Sequence, residues 1–326
     1  MKLITQTSIY HVSLEIVDEF EKSILADPIA SSKNQANRLF SKVLFLIWKG
    51  WNKVKVLYNN KKILNSESHT LLYKEYFFSV LMGPDFSKCL PYFIFPAYKN
   101  IYLFDAWPKD HDNIIHFVNS FKVNNLFISS SQVVELIKTK VNVTNCYWVP
   151  EGINPELYKY YPYENKEIDV IALGRKYHDY HKIIKPFLHK KNRIYLYEKE
   201  KGKIIFPTRC DFINGLAKTK ISICVPSSIT HPDRSGNIET MTVRYLQSMV
   251  SKCLIVGHAP QEMITLFGYN PVIEIDLKNP EQQLQSILTN YSDYFPLIEK
   301  NYFKIIKEHT WTHRWNEIKR ILDKSD

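Results

Sequence analysis

The chain has no apolar run long enough to cross a bilayer. Its best stretches are VLFLIW at 43–48, YFFSVLM at 76–82 with a polar break, and CLPYFIFPAY at 89–98. All fall far short of the roughly 18–20 residues that span a membrane. A secretory leader is not suggested either, because MKLITQTSIYH interrupts its apolar residues with Thr, Gln, Thr and Ser before a hydrophobic core can form. The five cysteines (Cys89, Cys146, Cys210, Cys224 and Cys253) are odd in number, widely separated and without CxxC spacing. That pattern suggests neither a disulfide framework nor a structural zinc site, and it fits a reducing cytoplasm. His178 and His181 have no third ligand at sensible spacing, so no metal is expected. Internal repeats and low-complexity tracts are also missing.

What is present is a globular composition. With 326 residues, 45% hydrophobic and 23% charged, the chain can fill two cores. A formal net charge of +10 and a pI near 9.1 imply an anionic partner. The lysines are scattered and do not form an arginine-rich tract interleaved with aromatics, which argues against nucleic acid. One cluster brackets SKVLFLIWKGWNKVKV, whose tryptophans and lysines suit either a core helix with solvated ends or a patch on an anionic membrane surface.

Apolar runs alternate with helical stretches throughout, the pattern of an α/β protein with mainly parallel sheets. In the first half, KNIYLFDAW, NNLFISS and NCYWVP read as strands, with HDNIIHFVNSF and SQVVELIKTK as helices between them. Residues 149–167 have the composition of a connection. The second half restarts with EIDVIALG, NRIYLYE, ISICVPS, SKCLIVG and NPVIEID as strands, and ends in the amphipathic HTWTHRWNEIKRILDK. The expectation is two doubly wound, Rossmann-like domains, 1–150 and 151–326, facing a cleft, with the C-terminal helix packing back toward the first domain. Functional residues in such folds sit after the carboxyl ends of strands.

That rule selects several positions. NIETMTVRYLQSM places Glu239, Thr240 and Met241 at an expected helix start, where unpaired N–H groups and the helix dipole favour an anion. Glu239 suits sugar hydroxyls better than a bare phosphate. Gln247 lies two turns deeper and can bridge a second set of hydroxyls. Equally, Glu is favourable in any first helical turn and Gln is a good helix former. Gly174 directly after a strand permits close backbone approach, and Arg175 and Lys176 bring two cations, the arginine able to fork onto a diphosphate. Arg244 can reach phosphate or form a salt bridge. Asp105 can contact or deprotonate an acceptor hydroxyl, or simply cap the next turn. His258 and His231 fall in loops where they can orient hydroxyls.

Three stretches together carry a more specific signal: VPEGINPELY at 149–158, IDVIALGRK at 168–176, and E-TMTVRYL-Q-SM followed by SKCLIVG at 239–257. They resemble the landmarks of GT-B glycosyltransferases of the family 4 type, over about residues 145–320. The resemblance implies that Glu239 contacts a donor sugar, Arg175 and a nearby lysine contact its diphosphate, and residue 247 contacts the ribose. The chain departs from the E-x7-E pattern at Gln247. The function implied is a metal-independent, cofactor-free, retaining transfer of a sugar from a nucleoside-diphosphate sugar to a glycan or lipid-linked acceptor hydroxyl. The implied setting is bacterial surface polysaccharide synthesis, in the cytoplasm or peripheral on the inner membrane face. Two rivals stay open: an epimerase or polyol-phosphate transferase on the same fold, and a non-catalytic module binding glycans or anionic lipid.

Overall fold

The computed structural model describes all residues except 6–13, 31, 35–40, 49, 51–74, 175, 201–202 and 325–326. The chain divides into two compact units, Met1–Val149 and Pro150–Asp326.

In the first unit, the strands β1 (Lys2–Ile4), β2 (Ser32–Asn34), β3 (Tyr76–Leu81), β4 (Tyr98–Leu103), β5 (Asn125–Ile128) and β6 (Asn145–Trp148) form one sheet in the order β2-β1-β3-β4-β5-β6. Every adjacent pair is parallel. The strands YFFSVL and YKNIYL are buried from their second residue onward, as expected where helices cover both faces of a parallel sheet. An amide ladder fixes the register. Asn100, Asn125 and Asn145 are cross-strand partners. The Asn100 amide donates to the Phe77 carbonyl at 3.1 Å, Asn125 donates to Asn100 at 2.9 Å, and Asn145 to Asn125 at 3.4 Å. A slip by one residue would turn these amides to the opposite face and strand them without partners.

The second unit contains β7 (Ile168–Ala172), β8 (Tyr195–Tyr197), β9 (Thr219–Cys224), β10 (Leu254–Gly257) and β11 (Ile273–Glu274), in the order β11-β10-β9-β7-β8. All pairs are again parallel. Two hydrophobic layers sandwich this sheet. One joins Tyr245, Met249 and Ile305 to Ile255, and the other joins Tyr180, Ile184 and Leu284 to Val170 and Leu254. Chain order reverses between β7 and β9, which makes the carboxyl ends of those strands the topological switch point where ligands bind in open α/β sheets. Both units therefore have the doubly wound α/β architecture read from the alternation.

The terminal helix Trp311–Asp323 is fastened within its own unit. Its Trp311 N–H donates to the Ile153 carbonyl at 3.1 Å, and the Arg314 guanidinium donates to the Glu151 carbonyl at 3.3 Å. Gly152 permits this, since a Cβ there would lie 3.0 Å from the Thr310 backbone. Of the lysine-bracketed stretch SKVLFLIWKGWNKVKV, residues 41–48 and Gly50 are helical, and Lys49 and residues 51–56 lie outside the described residues. Among the described residues no helix is long and apolar enough to cross a membrane.

Candidate functional site

The chain turns sharply as it leaves β7. Gly174 has φ +66°, a left-handed conformation that glycine adopts without a Cβ penalty. A Cβ added there would come within 3.9 Å of an Arg244 guanidinium nitrogen, which itself donates to the Leu173 carbonyl at 2.8 Å. The second guanidinium nitrogen of Arg244, Nη2, is buried and, among the described residues, without a hydrogen-bond partner. The Oγ1 of Thr242 is in the same condition. Thr242 is the N-cap of the helix Val243–Val250, in extended conformation, but its hydroxyl makes no capping bond. Two buried donors, one cationic, are thus unsatisfied at a helix start beside the β7 turn. An anion placed there would supply what they lack, because an unpaired buried polar group costs ~1–3 kcal/mol and more when charged.

The helix begins later than its sequence indicates. Residues 239–242 precede it, so the N–H of Met241 is not an open helix-start donor. It donates to the Glu262 carboxylate at 2.7 Å, and the Thr240 hydroxyl donates to the same oxygen at 2.8 Å. Glu262 is buried, on the helix Gln261–Phe267 that follows β10. It was not singled out in the sequence because a glutamate in a first helical turn is ordinary; only the tertiary contact reveals it as the anchor of the loop.

Glu239 sits half-buried on that loop within reach of two other loops. One carboxylate oxygen accepts from Ser228 at 3.5 Å, after β9. The other lies 3.4 Å from Nε2 of His258, after β10. The opposite ring nitrogen of His258 is 3.1 Å from Glu274, whose carboxylate also accepts from the Ala259 N–H at 3.2 Å. An imidazole between two carboxylates can donate to both only as the imidazolium. Among the described residues no group of three His, Cys, Asp or Glu side chains is arranged to hold a metal ion.

Other expected residues are placed differently. Gln247 is buried, and its amide donates to the Tyr158 hydroxyl at 3.0 Å, an oxygen that also accepts from Arg209 at 3.0 Å. Glu239 precedes the helix that carries Gln247, so the two do not share one helix face. Lys176 turns toward β8, donating to the Glu198 carbonyl at 2.6 Å with its ammonium 5.5 Å from the Tyr197 ring centroid. Arg175 lies outside the described residues. His231 is exposed, its N–H on the Ser227 carbonyl at 2.7 Å. Asp105 belongs to the first unit, just past β4, with its N–H on the Met82 carbonyl at 2.8 Å. Sequence spacing thus identified Gly174, Arg244, Glu239 and His258 in one region. Thr242, like Thr240, is also legible there as a hydroxyl donor to an anion, whereas Glu262 and Glu274 carry no signal in the sequence.

The fold is one shared with glycosyltransferases of the two-domain, GT-B kind. Sucrose-phosphate synthase from Thermosynechococcus elongatus aligns with a TM-score of 0.59 at 9% identity, over 100% of this chain and 99% of that one. HepE of Anabaena in complex with UDP-glucose gives a TM-score of 0.59 at 9% identity, over 99% of each chain. A glycosyltransferase from Rickettsia africae gives 0.55 at 12% identity, over 99% of this chain and 97% of that one. At such identities the likeness is one of fold. No family model matches the chain, and no curated protein matches its sequence.

Proposed function

We propose that the protein transfers a sugar from a nucleoside-diphosphate sugar to an acceptor hydroxyl. The observation that carries this reading is the pair of unsatisfied buried donors, Arg244 Nη2 and Thr242 Oγ1, beside the Gly174 turn at the β7/β9 switch point. In the proposed complex the diphosphate occupies that place, held by the guanidinium, the threonine hydroxyl and the first N–H groups of the helix Val243–Val250. Arg175, which follows Gly174 in sequence, is proposed as a second cation for the diphosphate. Glu239, braced by Ser228 and His258, accepts hydrogen bonds from the sugar hydroxyls. Gln247 has its amide nitrogen committed to Tyr158 and acts by supporting the helix.

The reaction follows from charge. The bond between C1 of the sugar and the diphosphate oxygen breaks, negative charge grows on that oxygen, and Arg244 stabilises it electrostatically. A new bond forms between C1 and the acceptor oxygen on the same face, with retention of configuration. The acceptor proton passes to the departing phosphate oxygen. No metal takes part in the proposed steps. From the family resemblance, the acceptor is a glycan or lipid-linked saccharide of surface polysaccharide synthesis.

UDP is the first nucleotide to test, since HepE is described with UDP-glucose. A ligand that binds only the folded state raises the melting temperature as its concentration exceeds Kd. UDP, GDP, ADP and CDP are compared in that assay, and one of them is expected to raise it by several degrees, as about 2.7 kcal/mol at a hundredfold excess over Kd dictates. Turnover then separates the chemistries: acceptor-dependent release of the nucleoside diphosphate supports transfer, while release of the monophosphate or an epimerised sugar nucleotide overturns it.

A further inference from the structure

We propose that Glu274 and His258 are a positioning pair for Glu239, and that they set affinity for the sugar of a nucleoside-diphosphate sugar separately from affinity for its diphosphate. The proposal rests on the transferase reading in one respect, that Glu239 meets sugar hydroxyls. A series of hydrogen bonds carries it. Glu274 ends the edge strand β11, and its Oε1 accepts from the Ala259 N–H and from the Asn270 amide, each at 3.2 Å. With that oxygen held, Oε2 lies 3.1 Å from Nδ1 of His258. The far ring nitrogen, Nε2, then faces Oε2 of Glu239 at 3.4 Å, while Oε1 of Glu239 accepts from Ser228.

The backbone of His258 is constrained as well. Its N–H donates to the Cys224 carbonyl at 3.0 Å, and its own carbonyl accepts from the Tyr245 hydroxyl at 2.7 Å. Burial holds the Tyr245 phenol well above its ordinary range, so it stays a donor. Between these two anchors the imidazole has only its own rotation left, and a carboxylate on Nδ1 fixes both that rotation and the tautomer. Stability does not account for the arrangement. The side chains of Glu239, His258 and Glu274 are 31%, 38% and 47% exposed, and ion pairs so open to water contribute little to folding. Aim does account for it. Glu239 precedes the helix Val243–Val250, so no helical turn directs its carboxylate, and the contacts from His258 and Ser228 do. Arg244 is held elsewhere, by the Leu173 carbonyl, so the sugar end and the diphosphate end of the site are set by different contacts.

Calorimetric titration tests the pair, using UDP, or whichever of GDP, ADP and CDP stabilises the chain more, and its glucose, galactose and N-acetylglucosamine conjugates. Glu274→Ala is expected to weaken the best conjugate about tenfold relative to the bare diphosphate. Its melting temperature is expected to fall by no more than about 4 °C. His258→Gln places an amide donor near the Nε2 position and has no tautomer to fix, so it is expected to keep most of the preference for the conjugate. In that background Glu274→Ala is expected to change nothing further, a non-additivity that a merely structural role would not produce. Nitrogen NMR of the ring needs no nucleotide: the neutral imidazole of His258 is expected to carry its proton on Nδ1, and to lose that preference in Glu274→Ala. A ring protonated on Nε2 in the wild type overturns the pair whatever the titrations give. Equal weakening of conjugate and diphosphate, a loss that persists beside His258→Gln, or a wild type that binds the diphosphate and none of the conjugates overturns the pair and leaves the diphosphate site standing. A wild type that binds no nucleoside diphosphate overturns the transferase reading and the pair together.

Discussion

Single atoms decide several properties of the second unit. Gly257 ends β10 where that strand crosses the carboxyl end of β9, and an added Cβ would fall 1.7 Å from the Cys224 carbonyl oxygen. No side-chain rearrangement relieves a clash with backbone, so Gly257→Ala is expected to cost about 3 kcal/mol or more, at the upper end for overpacking. Chemical denaturation measures this directly, and an unchanged midpoint would show that the strands separate freely. His309 supplies a pH prediction. Burial first, then the charges of Arg314, Lys304 and His313, push its imidazole from 6.5 down to about 3. Its Nδ1 is 2.7 Å from Arg314, and its ring stacks on Phe267. The folded chain therefore holds His309 neutral while the unfolded chain takes up a proton below about pH 6.5. Between that pH and about 3 the unfolded state binds more protons, so stability falls with acidification, by at most about 1.4 kcal/mol per pH unit from this group. His309→Asn, which keeps an acceptor for Arg314, is expected to flatten that acid slope. A slope identical in both proteins would contradict the assignment.

At the scale of elements, the loop 239–242 is an anchored segment and not a helical turn. Glu262 holds it through the Met241 N–H and the Thr240 hydroxyl. Glu262→Ala leaves these two groups without their acceptor and is expected to cost ~1–3 kcal/mol in stability. It is also expected to weaken nucleotide binding, because Thr242 and Arg244 follow directly on the loop. Glu262→Gln retains a carbonyl oxygen and is expected to recover most of both. If the alanine variant binds nucleotide as the wild type does, the loop has no part in the site. The same loop shows where sequence reading reached its limit. The stretch TMTVRYLQSMV read as a helix, with Glu239, Thr240 and Met241 at its start. The actual boundary at Thr242 is imposed by Glu262, which no local pattern reveals. Strand positions were more legible. A buried parallel strand such as IDVIA is apolar at every position but Asp169, and the glycine after it marked the turn at Gly174. For Lys176, spacing gives a cation's position along the chain but not the carbonyl of Glu198 to which its ammonium donates. The partner of the Gln247 amide, Tyr158, is likewise remote in sequence and not legible from spacing.

For the whole molecule, two doubly wound sheets and a chain that aligns end to end with sucrose-phosphate synthase and HepE define the architecture. The proposed chemistry rests on the second unit, where chain order reverses at β7 and β9 and a guanidinium lies beside the turn with one nitrogen unsatisfied among the described residues. The most direct test is calorimetric titration of UDP into the wild type and into Arg244→Met, which keeps the bulk of the side chain and removes its charge. A charged hydrogen bond is worth ~1.5–3 kcal/mol, so the variant is expected to bind about 10- to 150-fold more weakly while remaining folded. Equal affinity in the two proteins, or no nucleoside diphosphate binding to the wild type at all, would contradict the placement of the diphosphate at this turn.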